Sequence, residues 1–166
     1  MIDLVPMTQE DFLDFAEEGV PAYAADKVKS GEWAKEEALG LAGKAFEKLL
    51  PQGLATPHNL LFTIRDSAVH VTVGKLWIAV QDRGSKRIAY IYDVSIKPEH
   101  QRRGYATRAF AALEEKVRAL GLSGIAVHVF GHNAPARALY EKLGYQPTDV
   151  TMFKAVGKIS ASLPRP

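Results

Sequence analysis

The spacing of apolar side chains changes abruptly at Leu60, and that change leaves few folds open to the chain. Before it the pattern is helical. After it, residues 60–65, 71–81 and 87–96 read as strands, with Asp82, Arg83, Gly84 and Ser85 supplying a hairpin turn between the last two. The helical period returns over 104–120, where Ala106, Ala109, Phe110, Leu113, Val117 and Leu120 share one face and Gly121 is the natural stop. Residues 125–130 are an apolar strand interrupted only by His128, and Asn133 caps a short helix bearing Ala136, Leu139, Tyr140 and Leu143 that ends at Gly144. A last strand over 149–155 closes the sheet. Strand, helix, strand in this order requires residues 88–96 and 125–130 to lie parallel, joined by a right-handed helical crossover. The expected class is α/β with a mixed sheet, an antiparallel meander followed by that parallel pair.

The first third is expected to hold an edge strand over 2–5 and two helices. Thr8 with Asp11 three residues on resembles a capping pair, and Pro21 is expected to interrupt the first helix near Gly19. The second, over 33–50, carries Trp33, Ala38, Leu41, Ala45, Phe46 and Leu49 before Pro51 and Gly53 end it. With 166 residues, 47% of them hydrophobic, residues 1–157 suffice for a single domain, followed by a flexible tail over 158–166.

Charge and cysteine content narrow the chemistry. Twenty-one basic and nineteen acidic side chains leave +2, too little for a dedicated nucleic-acid binder, so no nucleic-acid partner is expected. The charge is also polarised, −6 over residues 1–50 and +8 over 51–166. The absence of cysteine removes disulfides, thiolate zinc sites, iron–sulfur clusters and a cysteine nucleophile, and the His128 and His132 pair straddles a strand end, which gives no metal site. No apolar run approaches membrane-spanning length and the opening residues are acidic, so no membrane association and a cytoplasmic location are expected.

The chemistry concentrates between the third strand of the meander and the crossover helix, at Lys97-Pro98-Glu99-His100-Gln101-Arg102-Arg103-Gly104-Tyr105-Ala106-Thr107. This loop is aimed at a helix N-terminus. Gly104 and Ala106 allow backbone N–H groups to approach an anion, while the helix dipole, Arg102 and Arg103 add positive potential. The result is a pyrophosphate cradle with neither the P-loop nor the dinucleotide-binding glycine pattern.

Gln101-Arg102-Arg103-Gly104-Tyr105-Ala106 resembles the Gln/Arg-x-x-Gly-x-Gly/Ala signature of the GNAT superfamily, the acyl-CoA-dependent N-acyltransferases, and within it the RimI-like branch. Asn133-Ala134-Pro135-Ala136-Arg137-Ala138-Leu139-Tyr140-Glu141-Lys142-Leu143-Gly144-Tyr145 is similar to the family's Asn-x-x-Ala-x-x-Leu-Tyr-x-x-x-Gly-Phe/Tyr segment, and the two motifs stand in the family's order. The resemblance covers residues 89–145 well. It implies acetyl-CoA as co-substrate, with the pyrophosphate on backbone amides of Arg102, Arg103, Gly104, Tyr105, Ala106 and Thr107 beside Gln101. It also implies that the pantetheine arm pairs with exposed backbone of Val94, Ser95 and Ile96 like an added strand, and that Asn133 and Ala136 belong to the coenzyme site. Asn133 is equally a plain helix cap, and the two roles are compatible.

Acyl transfer to an amine requires a neutral amine, a polarised carbonyl and a proton for the departing thiolate. Without cysteine or a Gly-x-Ser-x-Gly elbow, direct attack in a ternary complex is the expected route. Tyr140 matches the family tyrosine that acts as general acid, although its stripe with Ala136, Leu139 and Leu143, taken alone, would make it a core residue. The base is His128, Asp93 or a chain of water molecules. His128 has the right intrinsic pKa, whereas Asp93 is a charge in an otherwise apolar strand. A backbone amide near Val94 can donate to the thioester oxygen.

The acidic N-terminal region is expected to wall the acceptor side, favouring a small amine or a protein amine, with Tyr23, Trp33 and Phe46 as candidate apolar or cation–π surface, at least two of the three being core residues by default. Two rival readings are a coenzyme-binding regulatory module without turnover and an acetyltransferase acting on aminoacyl-tRNA. A homodimer is a further expectation, drawn from the resemblance.

Overall fold

The computed structural model describes residues 1–157, and the tail expected over 158–166 lies outside the described residues. The chain forms β1 (Ile2–Pro6), α1 (Gln9–Lys29), α2 (Lys35–Leu49), β2 (Asn59–Asp66), β3 (Val71–Arg83), β4 (Lys86–Ile96), α3 (Tyr105–Ala119), β5 (Ile125–Val127) and α4 (Ala134–Lys142). The strands make one sheet in the order β1-β2-β3-β4-β5, antiparallel through β4 and parallel between β4 and β5.

Strand alternation decides which helices lie on which face. Phe62, Ile64, Leu76, Ile78, Ala89 and Ile91 pack against Ala109, Phe110, Leu113 and Val117 of α3 and Tyr140 of α4. Each large side chain buried there contributes roughly 1.5–3 kcal/mol of transfer free energy. On the opposite face Leu61 and Trp77 meet Phe15 of α1 and Leu50, with Phe12, Phe46 and Tyr92 around them. Ala24, Ala38 and Ala42, all buried, bring α1 and α2 close together. The sheet is therefore the middle of three layers, α1 and α2 on one side, α3 and α4 on the other.

Several expected elements are corrected. Pro21 lies inside α1 and does not interrupt it. Its ring is exposed, so the missing N–H costs no buried partner, and packing of Ala24 and Val28 on α2 offsets the penalty of about 3 kcal/mol for an interior proline. The first helix is anchored instead at its start, where Thr8 and Asp11 form a complete capping box. The meander's hairpin is tighter than expected, with β3 reaching Arg83 and only Gly84, at φ 62°, and Ser85 between it and β4. β5 is three residues long and stops before His128. No strand forms over 149–155, which is exposed chain. Sequence pattern expresses a preference for extended backbone, but a strand exists only where a neighbour's edge completes its hydrogen bonds.

One irregularity positions the site. Across the β3–β4 ladder Trp77 faces Asp93 and Ile78 faces Ile91, which leaves Tyr92 as an extra residue, a β-bulge. The β4–β5 ladder ends at the same level, at Ile91 and Val127. Beyond it β4 keeps β3 on one side and has no strand on the other. Among the described residues no helix is long and apolar enough to cross a membrane.

Candidate active site

The unpaired end of β4 runs straight into the cradle. Val94, Ser95 and Ile96 are half-buried and carry the open backbone edge. A short 3-10 turn over Pro98–His100 follows, and the Gln101 side-chain amide donates to the Ile96 carbonyl at 2.9 Å, fixing the turn to the strand end. Arg102 and Gly104 both adopt left-handed backbone, φ 61° and 76°, so the chain reverses sharply into α3. Gly104 is the N-cap and offers no side-chain acceptor to the first N–H groups of the helix. α1 and α4 spend Thr8 and Asn133 on that task, and α1 and α2 carry acids in their first turns, whereas α3 has none. The open amides of Tyr105, Ala106 and Thr107, together with Arg102 and Arg103, suit a diphosphate.

The side chains around the cradle are held by a local network. The Tyr105 hydroxyl donates to Asp66 at 3.0 Å, the Arg108 guanidinium lies 4.6 Å from the Tyr105 ring, and it donates to the Arg103 carbonyl at 3.3 Å. Asn133 accepts from the Ala136 N–H at 3.2 Å, the capping role, and Ala136 packs against the main core.

On the α1 side of β4, Asp93 has its pKa raised, first by burial and further by Asp26. Lys75 and a hydrogen bond from the Val94 N–H oppose that rise. Lys75 projects from β3 opposite Ser95, pairs with Glu18 of α1 at 2.9 Å and rests 5.1 Å from the Phe15 ring. That lysine also holds the Glu18 carboxyl below its usual range. Sequence reading missed Lys75, and its signal is the one that exposed Asp93: a lone charge in the apolar run 71–80.

Tyr140 is buried against Phe110 and Tyr145, with ring centroids 5.6 Å from each. Its pKa is raised by burial first and then by the charge of Asp93, which puts phenol and carboxylate within electrostatic reach of one another. Tyr145, read from sequence as packing, buries its hydroxyl without a partner, and burial pushes its pKa up as well. An unpaired buried hydroxyl costs about 1–3 kcal/mol. Tyr145→Phe should therefore hold or raise stability by up to about 1 kcal/mol, which urea denaturation will read.

His128 does not lie among apolar strand neighbours. It is exposed beyond the end of β5, edge-on to Phe130 at 5.1 Å. Phe130 stacks on His132, whose Nε2 is 3.2 Å from Asp26 Oδ1. The aromatic surface expected for the acceptor is already engaged. Tyr23, Trp33 and Phe130 surround the Lys27 ammonium at 5.5–5.7 Å while Glu32 pairs with it, and Phe46 is packed with Phe12, Phe15 and Trp77. Lys27 thus ties the α1–α2 connection to the loop that leads into α4. The contacts that close this cluster, Lys27 with Phe130 and Asp26 with His132, are not legible from sequence, because each joins residues more than 100 positions apart.

Among the described residues no three of the His, Asp and Glu side chains group as a metal site. The architecture matches known proteins. A family model described as the Acetyltransferase (GNAT) family matches residues 29–145. The chain is 40% identical over 153 residues to YycN of Bacillus subtilis (strain 168), an uncharacterised N-acetyltransferase, covering 92% of this chain and 97% of that protein. A second uncharacterised N-acetyltransferase of that organism, YdgE, is 31% identical over 151 residues, covering 91% and 96%. The crystal structure of YycN superposes with a TM-score of 0.90 at 39% identity over 95% of this chain and 100% of that one. AAC(6')-Iy, solved with the bisubstrate analogue CoA-S-monomethyl-acetylneamine, shares the fold alone, with a TM-score of 0.59 at 15% identity over 95% and 99% of the chains. The matches carry the family and not the RimI-like branch. With both motifs, the crossover between them and nearly the whole length aligned, the chain belongs to the GNAT acetyltransferase family.

Proposed function

We propose that the protein transfers the acetyl group of acetyl-CoA to a primary amine by direct attack in a ternary complex. The observation that carries this reading is continuity. One stretch of backbone, open along β4 from the bulge to Ile96, leads into a reversed turn and an uncapped helix N-terminus with two arginines. An extended arm ending in a diphosphate fits that path, as the resemblance of residues 101–106 to the coenzyme signature implies.

When bound, acetyl-CoA supplies an activated acyl group and a thiolate leaving group. The chain's residues do the rest. Backbone of Val94, Ser95 and Ile96 pairs with the arm, and an amide near Val94 donates to the carbonyl oxygen. Open amides of Tyr105, Ala106 and Thr107, with Arg102 and Arg103, hold the diphosphate, while Gln101 keeps the turn in place. Asp93 takes the proton of the acceptor ammonium, and its raised pKa brings it nearer to neutrality, where a base is most effective. Tyr140, kept protonated by burial and by the neighbouring carboxylate, donates to the departing sulfur. Asp93 is preferred to His128 as base because it lies on β4 at the bulge, whereas His128 is exposed and turned to Phe130. The acidic excess of residues 1–50, net −6, which include α1 and α2, gives the acceptor side its attraction for a cation, either a small amine or a protein amine.

The test mixes protein, acetyl-CoA and an amine panel and follows thiol release, free of background because the chain has no cysteine. Coenzyme binding without turnover on any amine would favour a regulatory module. Asp93→Asn carries a second prediction with a fixed sign. Because burial raises the Asp93 pKa, the native state keeps a proton that the unfolded chain has released above the ordinary carboxylate range. This stabilising contribution is complete below the unfolded pKa and is lost as pH rises through the folded one. Asp93→Asn should abolish that slope and be more stable than the parent at neutral pH, while losing about 10²–10⁴ in turnover together with the acidic limb of the rate profile. Unfolding and rate profiles that break at different pH values would separate Asp93 from the base.

A further inference from the structure

We infer that Lys75 is a positioning residue for the proposed transfer: its ammonium, anchored by Glu18 on the same face of the sheet as Asp93, sets how readily that carboxylate takes the acceptor's proton. The inference rests on Asp93 as the base. The β-bulge at Tyr92 brings the two charges together. Side chains alternate along a strand, so without the extra residue Asp93 would point with Ile91 toward α3. With it, Val94 and Ile96 pack on the α3 core, while Tyr92, Asp93 and Ser95 take the α1 side. On β3, Trp77 stands opposite Asp93 and Lys75 opposite Ser95, with the Lys75 ammonium over the Phe15 ring of α1. Lys75 and Asp93 are therefore diagonal neighbours on one face, a relation that spans about 7–8 Å and lies within reach of a long side chain.

The ion pair that holds Lys75 is lopsided. Its side chain is 18% exposed and that of Glu18 is 72% exposed, so a covered cation is tethered by a surface carboxylate. A partner in open solvent offsets little of what covering a charge costs. The charge of Asp93 supplies the second attraction. Burial favours the neutral acid, which is useless as a base, and Asp26 of α1 pushes the same way, while Tyr140 of α4 faces Asp93 as an uncharged phenol. Lys75, with the Val94 N–H, opposes them. Glu18 competes for the same ammonium and draws it toward α1, helped by the pull of Lys97 on Glu18 from the turn after β4. Removing Lys75 and removing Glu18 must therefore act on Asp93 with opposite signs.

Carbon-13 NMR of the Asp93 carboxyl, assigned by its loss in Asp93→Asn, reads that titration without any acceptor. Lys75→Met keeps an unbranched stem beside Phe15 and drops the charge, so the midpoint should rise by about 1 pH unit or more. Glu18→Gln releases the ammonium to Asp93 and should lower the midpoint, and at so exposed a position it tests the inference even where Lys75→Met does not fold. In the Lys75→Met background Glu18→Gln should have no effect, because the lysine through which it acts is gone. Lys75→Arg should return the midpoint toward that of the parent. The acidic limb of thiol release from acetyl-CoA, measured with the amine panel, should follow the midpoint in every variant, whereas a merely structural defect lowers the rate without moving the limb. A midpoint that stays in place in both Lys75→Met and Glu18→Gln overturns the inference and leaves Asp93 as the base. A midpoint that moves while the rate limb does not removes Asp93 from the proton transfer, and the role of Lys75 falls with that reading.

Discussion

Tyr140→Phe is expected to lower turnover by about 10²–10⁴-fold while leaving coenzyme affinity within about twofold of the parent. The substitution removes one oxygen from a ring that keeps its contacts with Phe110 and Tyr145, so packing is preserved. Nothing in the cradle depends on that hydroxyl, and no hydrogen bond contributes to its shifted pKa, which burial and the Asp93 charge account for. Loss of activity would therefore report loss of the proton and not of the fold. Tyr145→Phe is the matched control, the same chemical change on the adjoining ring, and it should retain activity. Equal turnover in Tyr140→Phe and the parent would remove Tyr140 from the mechanism.

Gly74→Ala should damage stability and coenzyme binding together. Gly74 faces Ile96 across the β3–β4 ladder, and a Cβ there would lie 2.2 Å from the Ser95 carbonyl oxygen and about 3 Å from two atoms of Ile96. The obstacle is backbone, which cannot rotate away, so the strands must part at the point where Lys97 N–H also bonds the Val73 carbonyl at 2.8 Å. Overpacking of this kind costs about 1–3 kcal/mol. Because the displaced residues form the edge proposed to pair with the coenzyme arm, coenzyme affinity should fall about tenfold or more, a loss of at least about 1.4 kcal/mol. Urea denaturation and calorimetry read the two effects. Gly43→Ala is the counterpart: it stands in α2 with open space around its missing Cβ and should gain about 0.5–1 kcal/mol. An unchanged Gly74→Ala protein would mean that the two strands are less closely held than their ladder implies.

The turn into α3, the proposed cradle, could be singled out because its parts are contiguous. Arg102, Gly104 and Ala106 sit within five residues, and a strand before and a helix after them follow from local period. Tyr140 and Asn133 were legible for the same reason, as one helix and its cap. Asp93 could be singled out, but its standing relative to His128 could not, since both are lone polar residues in apolar runs. What separates them is where β5 ends, and that depends on pairing with β4 and on the bulge at Tyr92. Lys75 gained meaning only when β3 set it opposite Ser95 and α1 brought Glu18 to it. Tyr23 and Trp33, candidates in the sequence for acceptor surface or for core, surround Lys27 together with a third ring, Phe130, more than 90 residues further along the chain.

By itself the sequence determined the order of helices and strands as far as α4, the parallel pair with its crossover, the turn that enters α3 and the polarity that separates an acidic first third from a basic remainder. These rest on side-chain period, backbone conformational preference and charge, which are properties of neighbours along the chain. Only the tertiary structure decided that α1 runs through Pro21, that β5 stops short, that residues 149–155 stand without a partner, and which buried groups feel one another's charge. Each of those outcomes depends on packing or hydrogen bonding between distant segments, and such free energies exist only once the chain has closed on itself.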